Sequence, residues 1–581
     1  MATPLRRLSP VLRHKATDAA LALALAALVL LPLVWASVGA LLQAGNAAAW
    51  QSLALNPQLP AALGLTLWTG LCAAALSLAL TAYTLSRSFP GPRWQRLVRH
   101  LAPMLAIPHA AFAIGLVLLI APSGWLLRLL SPWATGLHEP PPWPTTQDPW
   151  GLGLIAVLVA KEVPFLLWAA AAQLQRPDVA ERAARELTLA RTLGYSARSA
   201  WWRVLWPQLR QRLHAPMLAV LVYSLTVVDM ALVIGPGSPP TLAVLTWQWL
   251  QDADSAVNAQ GAAAAWLLAA LAVLAALVLR WARRVGEWVG QLCNRCWPHG
   301  GWPHGGRTPI LRSKTRALTP MRPTPFHGLL MLYLAVMLAL VLGSVIGVWP
   351  FPQLWPQSLS WQAWASVAGS TGTLWTTVSL AALGSATALL WAVAWLECAP
   401  PAWRSPMQRL LYLPLLLPSV LWVLGLHQLS LAWGWDAHYS GLWLAHSLAA
   451  LPYVLIALAP AYLGFDARHA QITATLGQSR SAYLLRVKWP LLKAALLGAL
   501  AVGFAVSVAQ YLPTLFIGAG RFNTVTTEAV TLASGAQRTL SAAYAWLQWL
   551  LPVVMFAIAA WLGRPQRFAH SATPAAVPGA A

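Results

Sequence analysis

The sequence predicts an all-α polytopic membrane protein of about twelve spanning helices, arranged as two tandem six-helix halves. Three observations carry that expectation. Of 581 residues, 58% are hydrophobic and only 9% charged, against about 25% charged in soluble domains. Such a chain cannot cover a water-facing surface with polar groups, so its solvent is lipid. The basic residues fall almost wholly in alternate connections, and a segment of the first half recurs in the second at fixed spacing.

Crossing a bilayer takes about 20 apolar residues. Twelve runs meet that length: 19–43, 61–85, 101–127, 151–173, 216–237, 258–280, 327–349, 372–396, 408–432, 440–463, 496–517 and 541–562. Leu and Ala dominate them, which favours helices over the alternating pattern of an outer-membrane barrel. The first run is longer than the usual core of a signal peptide and lacks a clear small-residue cleavage site, so it reads as a retained span. The expected organisation is a cytoplasmic N-terminus (1–18), a first half (19–280), a basic linker (281–326), a second half (327–562) and a cytoplasmic tail (563–581).

With the N-terminus in the cytoplasm, 34 of the 38 Lys and Arg residues lie in cytoplasmic connections. The exceptions are Arg128, Lys161, Arg521 and Arg538, while 44–60, 131–150, 238–257 and 350–371 carry none. The net charge of +23 is thus the positive-inside rule at work, and no nucleic-acid partner is expected. Several of the 35 tryptophans, among them Trp50, Trp143, Trp150, Trp349, Trp355, Trp433 and Trp435, fall near outer span ends. They suit an interfacial aromatic belt. The four cysteines imply no disulfide framework, since none lies in an outside connection.

The repeat is read from ARTLGYSARSAWWRVLWP at 190–207 and TATLGQSRSAYLLRVKWP at 473–490. At an offset of 283, Thr192, Leu193, Gly194, Ser196, Trp206 and Pro207 meet Thr475, Leu476, Gly477, Ser479, Trp489 and Pro490. The register continues to Thr241 and Thr524. Upstream, TLWT at 66–69 matches TLWT at 373–376, and Pro108 with Gly115 matches Pro418 with Gly425 at offset 310. Gly153 and Pro164 match Gly441 and Pro452 at offset 288. The drop between those offsets places an insertion in the outside loop 131–150. Six spans per half make the repeats parallel, related by an axis along the membrane normal.

Each copied segment lies between the fourth and fifth spans of its half. The stretch before Gly194 is rich in helix formers; Gly194 suits a helix C-cap and Ser196 the next N-cap. Two short helices joined by glycine make a rigid cytoplasmic protrusion. A loop of this kind, E-A-A then T-L-G and a hydrophobic residue shortly before Pro, resembles the EAA loop of binding-protein-dependent ABC importer permeases of the type I fold. By that resemblance the helix before the glycine is a coupling helix, here about 181–193 and 464–476. The motif falls on Ala190, Thr192, Leu193, Gly194 and Pro207, and on Thr473, Thr475, Leu476, Gly477 and Pro490. The family's glutamate falls on Thr188 and Gln471, so neither copy has that carboxylate. Glu186 lies two residues before Thr188 and is the substitute on offer. Two halves in one chain look like the fused ferric-iron and thiamine permeases, and AQYLPTLFIGAGR (509–521) looks closest to thiamine-like members.

The resemblance covers about 61–280 and 372–562, with spans 1 and 7 peripheral to that core. It implies two copies of a cytoplasmic ABC ATPase subunit and a periplasmic solute-binding protein as partners, in a bacterial inner membrane with both termini cytoplasmic. It further implies alternating access for a small solute. The chain itself has no G-x-x-x-x-G-K-[ST] phosphate cradle and no H-E-x-x-H. It is therefore read as a transport subunit without cofactor, not an enzyme.

A secondary carrier driven by an ion gradient is the alternative, because ionisable groups inside spans are costly and by default functional. Lys161, Glu162 and Asp229 are the candidates for lining a path, with His109, His427 and His446 read chiefly as makers of interhelical hydrogen bonds. The glycine-broken loop between spans 4 and 5, rather than a basic loop between spans 2 and 3, favours the permease. In the linker, Cys293-Asn-Arg-Cys296 with His299 and His304 has a zinc-like spacing. The tandem WPHGG in a Gly/Pro/Arg-rich segment reads instead as a tether, so no metal is assigned.

Overall fold

The computed structural model describes residues 10–296, 325–403, 410–411, 417–535 and 537–564. Among them the regular elements are helices, joined by turns and loops, with one isolated β-bridge, Ile346 with Leu359. Nine of the described helices are long and apolar enough to cross a membrane. They include α1 (Pro10–Gln43), α2 (Leu59–Ser88), α5 (Leu152–Leu174), α10 (Ser255–Cys296), α11 (Pro325–Gly343), α12 (Thr371–Cys398), α14 (Tyr439–Leu463) and α19 (Arg538–Leu562). The other, the third span, is an apolar stretch from His109 to Leu130 that contains α4 (His109–Ile120).

Four of the twelve sequence runs, 101–127, 216–237, 408–432 and 496–517, are not continuous helices, and each has a local cause. The run 216–237 divides into α7 (His214–Thr226) and α8 (Asp229–Ile234), because Val227 is extended, with φ −67° and ψ 134°. The run 496–517 divides at the equivalent place into α16 (Lys493–Val508) and α17 (Leu512–Gly518). Pro513 has no N–H to bond the carbonyl four residues back, which ends the preceding helix. Within 408–432, α13 (Ser419–Ala432) begins at its N-cap Pro418. Pro108 caps α4 in the same way. Before it runs α3 (Pro92–Leu105), with Trp94, Leu97, Leu101 and Met104 buried and Arg93, Arg96 and Arg99 exposed. That spacing puts an apolar stripe on one helix face and the guanidinium groups on the other.

The first span of each half is largely exposed, as expected of a peripheral helix, yet it packs on the opposite half. Helix α1 lies against α13 and α12, and α11 lies against α4 as well as α19. The crossings are close because each meets a glycine. A Cβ on Gly425 would stand 1.9 Å from the Ala36 carbonyl oxygen. One on Gly115 would stand 2.9 Å from the Val336 carbonyl oxygen and 2.7 Å from its Cγ1. The Gly115 and Gly425 pair found in the sequence repeat thus marks two equivalent crossings.

Outside the broken fifth spans, each half folds a short apolar helix back into the protein: α9 (Leu242–Leu250) and α18 (Val525–Ser534). The Leu242 N–H donates to the Thr66 hydroxyl at 2.8 Å, and the Val525 N–H donates to the Thr377 hydroxyl at 2.9 Å. Thr66 donates in turn to the Ala62 carbonyl and Thr377 to the Thr373 carbonyl, both at 2.7 Å. Thr66 is therefore equivalent to Thr377, one helical turn beyond the Thr373 that the TLWT match selects. The structural offset in the second span is 311, next to the 310 of the proline pair.

Candidate functional site

Both repeated loops are built from the same local rules. In the first, α6 (Pro177–Thr192) buries Val179, Ala183, Leu187 and Ala190 along one face, the spacing of an amphipathic helix. Gly194, at φ +89°, stops it. The Gly194 N–H donates to the Arg191 carbonyl and the Tyr195 N–H to the Ala190 carbonyl, each at 3.1 Å. These two bonds are the Schellman closure, which needs the left-handed conformation that glycine adopts without strain. Ser196 then caps the next helix by accepting from the Ser199 N–H at 3.2 Å.

In the second, α15 (Arg468–Thr475) ends on Gly477 at φ +70°. Gly477 donates to the Ala474 carbonyl at 3.0 Å and Gln478 to the Thr473 carbonyl at 3.1 Å, with Ser479 capping Ala482. Thr192 and Thr475 each return a hydroxyl bond to the carbonyl three residues back. Ala190 and Thr473 are both buried. The following helices contain a π turn, Trp201–Leu205 and Leu484–Lys488, directly before Trp206-Pro207 and Trp489-Pro490. The proline removes one donor, and the chain responds with bonds five residues back, from Trp206 to Trp201 and Trp489 to Leu484.

What the sequence did not single out is the surface these turns present. Leu189 and Leu193 are 61% and 70% exposed, and their counterparts Ile472 and Leu476 are 58% and 71% exposed. Each pair is four residues apart, so it forms one apolar ridge on the protrusion. The signal was available in the offset of 283, which relates all four positions. Thr188 and Gln471, where a carboxylate was missing, are both exposed. Glu186 instead binds Arg182 Nε at 2.8 Å and the Gln208 amide. Those two bonds hold its carboxyl below its ordinary pKa, and they brace α6 against the helix Trp206–Arg212.

The loops differ in how they meet the membrane. Trp201, Trp202 and Trp206 form an aromatic cluster, with the first and last stacked at 5.5 Å. In the second loop, Glu397 at the end of α12 accepts from Lys488 Nζ at 2.7 Å, the Tyr462 hydroxyl at 2.9 Å and Arg480 at 3.3 Å. Arg480 also pairs with Asp18 on α1. Four elements are thereby tied together, an arrangement that contacts between distant segments create and no local motif announces.

Of the three ionisable candidates inside spans, Lys161 is engaged by backbone. Its ammonium donates to the Ile107 carbonyl at 2.6 Å and the Met104 carbonyl at 3.4 Å. It lies 5.7 Å and 5.9 Å from the Tyr333 and Phe112 rings. Glu162, one residue on, lies within electrostatic reach of Tyr223, Tyr333 and Tyr453. Asp229 stands at the break between α7 and α8, within reach of Tyr223 and Tyr511. Tyrosines of both halves thus lie within electrostatic range of Glu162 and Asp229. His446 bridges Ser507 at 2.8 Å and Thr514 at 3.0 Å. His109 packs on Tyr223 at 5.1 Å, and His427 lies 3.5 Å from Asp436. The side chains of Cys293 and Cys296, with His299 and His304, lie outside the described residues.

No family model matches this chain. The Inner membrane ABC transporter permease protein YnjC of Escherichia coli (strain K12) is 36% identical over 483 residues. That alignment covers 82% of this chain and 83% of that protein. The Thiamine transport system permease protein ThiP of Brucella abortus (strain 2308) is 26% identical over 190 residues, 29% of this chain and 35% of that protein. ThiP of Brucella abortus biovar 1 (strain 9-941) matches over the same extent.

Proposed function

Because the chain belongs to the inner-membrane ABC transporter permeases, we propose that it is the fused transmembrane subunit of an importer whose two halves are moved by separate ATPase subunits. The observation that carries this reading is the pair of glycine-stopped loops, each with an exposed apolar ridge: Leu189 with Leu193, and Ile472 with Leu476. An exposed aliphatic pair on a rigid protrusion has no use in water but can fill a groove on a partner. We assign one ATPase subunit to each ridge, two in all, and place both loops and both termini in the cytoplasm. A periplasmic binding protein would then deliver solute at the opposite face.

The loops can act as levers because they do not end in slack chain. From Ser196 the first loop passes through a capped helix, a π turn and the helix Trp206–Arg212, then enters α7. The second reaches α16 through a 75° bend. Each fifth span is broken in mid-course, and the first break carries Asp229. ATP binding favours a closed ATPase dimer, and a state bound more tightly is a state more populated. A shift of the ridges would rotate the halves about a shared path. For the solute, partial likeness to ThiP and the segment 509–521 support a thiamine-like compound, ahead of ferric iron.

Leu193→Glu and Leu476→Glu test the assignment, since both side chains are exposed and the substitutions leave the core intact. The double variant should insert and fold as wild type in detergent. It should lose at least about tenfold in affinity for the cognate ATPase, as expected for a charge placed in an apolar contact. An unchanged ATPase complex, or solute uptake into proteoliposomes driven by a proton or sodium gradient without ATP, would sink the importer reading.

A further inference from the structure

Four basic residues depart from the positive-inside pattern, and the fold brings two of them, 410 positions apart, into one cavity. Arg128 and Arg538 line a space of about 420 Å³ at the outer ends of the third, seventh and twelfth spans. That is within the range of roughly 300–1,000 Å³ typical of small-ligand sites. The two halves contribute one guanidinium each.

Arg128 is 4% exposed. It donates to the carbonyls of Ser123, Trp349, Pro350 and Gln353 at 2.7–3.0 Å, and lies 3.7 Å from the centre of the Trp349 ring. Those contacts occupy four of its five N–H donors but leave its charge in place, because a carbonyl is neutral. Arg538 donates to the Ser123 hydroxyl at 2.6 Å. Among the described residues no carboxylate forms an ion pair with either arginine. Glu139 lines the same cavity but is exposed and stands beyond pairing distance. Two like charges held in one partly enclosed space repel, and the repulsion is relieved by an anion.

We propose that this cavity is a binding site for a phosphate group. Arg538, with one bond to Ser123, keeps planar, forked donors that match phosphate oxygens, and Arg128 adds the attraction of its charge. Leu118, Gly343 and Ile346 add apolar lining to the cavity, and Trp349, which also lines it, clusters with Trp125, itself 5.7 Å from Trp355. Two cationic groups beside apolar lining and an aromatic cluster suit a phospholipid headgroup. The same donors would hold a free phosphate ion.

The test uses the full chain in detergent, delipidated and then supplied with phosphatidylglycerol vesicles or with inorganic phosphate. Native mass spectrometry counts retained lipid, and a thermal shift reads phosphate. Arg538→Gln should lower binding by about tenfold, the worth of one charge-assisted hydrogen bond. Glu139→Gln, which leaves the Ser123 bond untouched, should raise it by removing a nearby negative charge. Retention of phosphatidylglycerol without a response to phosphate assigns the site to lipid, and the reverse assigns it to a soluble anion. Equal binding of both probes by wild type, Arg538→Gln and Glu139→Gln overturns the proposal. Should Arg538→Gln fail to fold, an unchanged Glu139→Gln overturns it alone.

Discussion

At Gly425 a methyl group decides whether two halves can meet. The Ala36 backbone occupies the space a Cβ would need, and backbone cannot rotate out of the way as a side chain can. Gly425→Ala should therefore lower the thermal midpoint of the purified chain, by an amount corresponding to about 1–3 kcal/mol or more. Gly64→Ala is the control: it lies in α2 with nothing within 4 Å of its Cβ, so it should be neutral or slightly stabilising. Similar losses from both would mean that the α1 crossing is not as close as described. The Glu397 cluster is a second case where individual residues matter through their neighbours. Its carboxylate is 16% exposed and gathers Lys488, Arg480 and Tyr462. Removing it would leave Lys488, 12% exposed, without its counter-charge, and such one-sided losses are the costly kind.

The elements repeat more faithfully than the sequence does. Both fifth spans break at positions 283 apart, although one break follows an extended valine and the other precedes a proline. Both returning helices, α9 and α18, are held by a threonine hydroxyl from the second span. A helix N-terminus buried in lipid-embedded protein has no water to bond its free N–H groups. Thr66→Val and Thr377→Val should each strand one buried donor and cost about 1–3 kcal/mol. Hydrogen exchange at 242–250 or 525–534 should rise selectively in the matching variant. Exchange spread evenly over the chain would argue against a local cap. The loops 177–212 and 468–491 were the most legible elements, because glycine, serine and proline each act within a few residues. The equivalence of Thr66 and Thr377 was not, since identical TLWT strings pulled the alignment one turn out of register.

In the whole molecule the two halves are interlocked, not merely adjacent. The first span of each packs on the third span of the other, and Arg128 of the first half is held by carbonyls of the second. Separate chains ending at Cys296 and beginning at Pro325 should therefore co-purify when expressed together, and each alone should be unstable in detergent. Stable, independently folded halves would contradict the interlocked arrangement. The sequence by itself determined the lipid environment, the helical class, the tandem repeat and the two glycine-stopped loops. Each of those rests on composition, or on interactions spanning fewer than about a dozen residues. Only the tertiary structure decided that the first spans exchange partners, that Glu397 gathers Asp18, Arg480 and Lys488 into one cluster, and that Arg128 and Arg538 share a cavity. Those outcomes depend on helix rotation and on contacts between residues hundreds of positions apart. In a chain whose spans are apolar nearly all round, hydrophobic periodicity does not choose which face meets which neighbour.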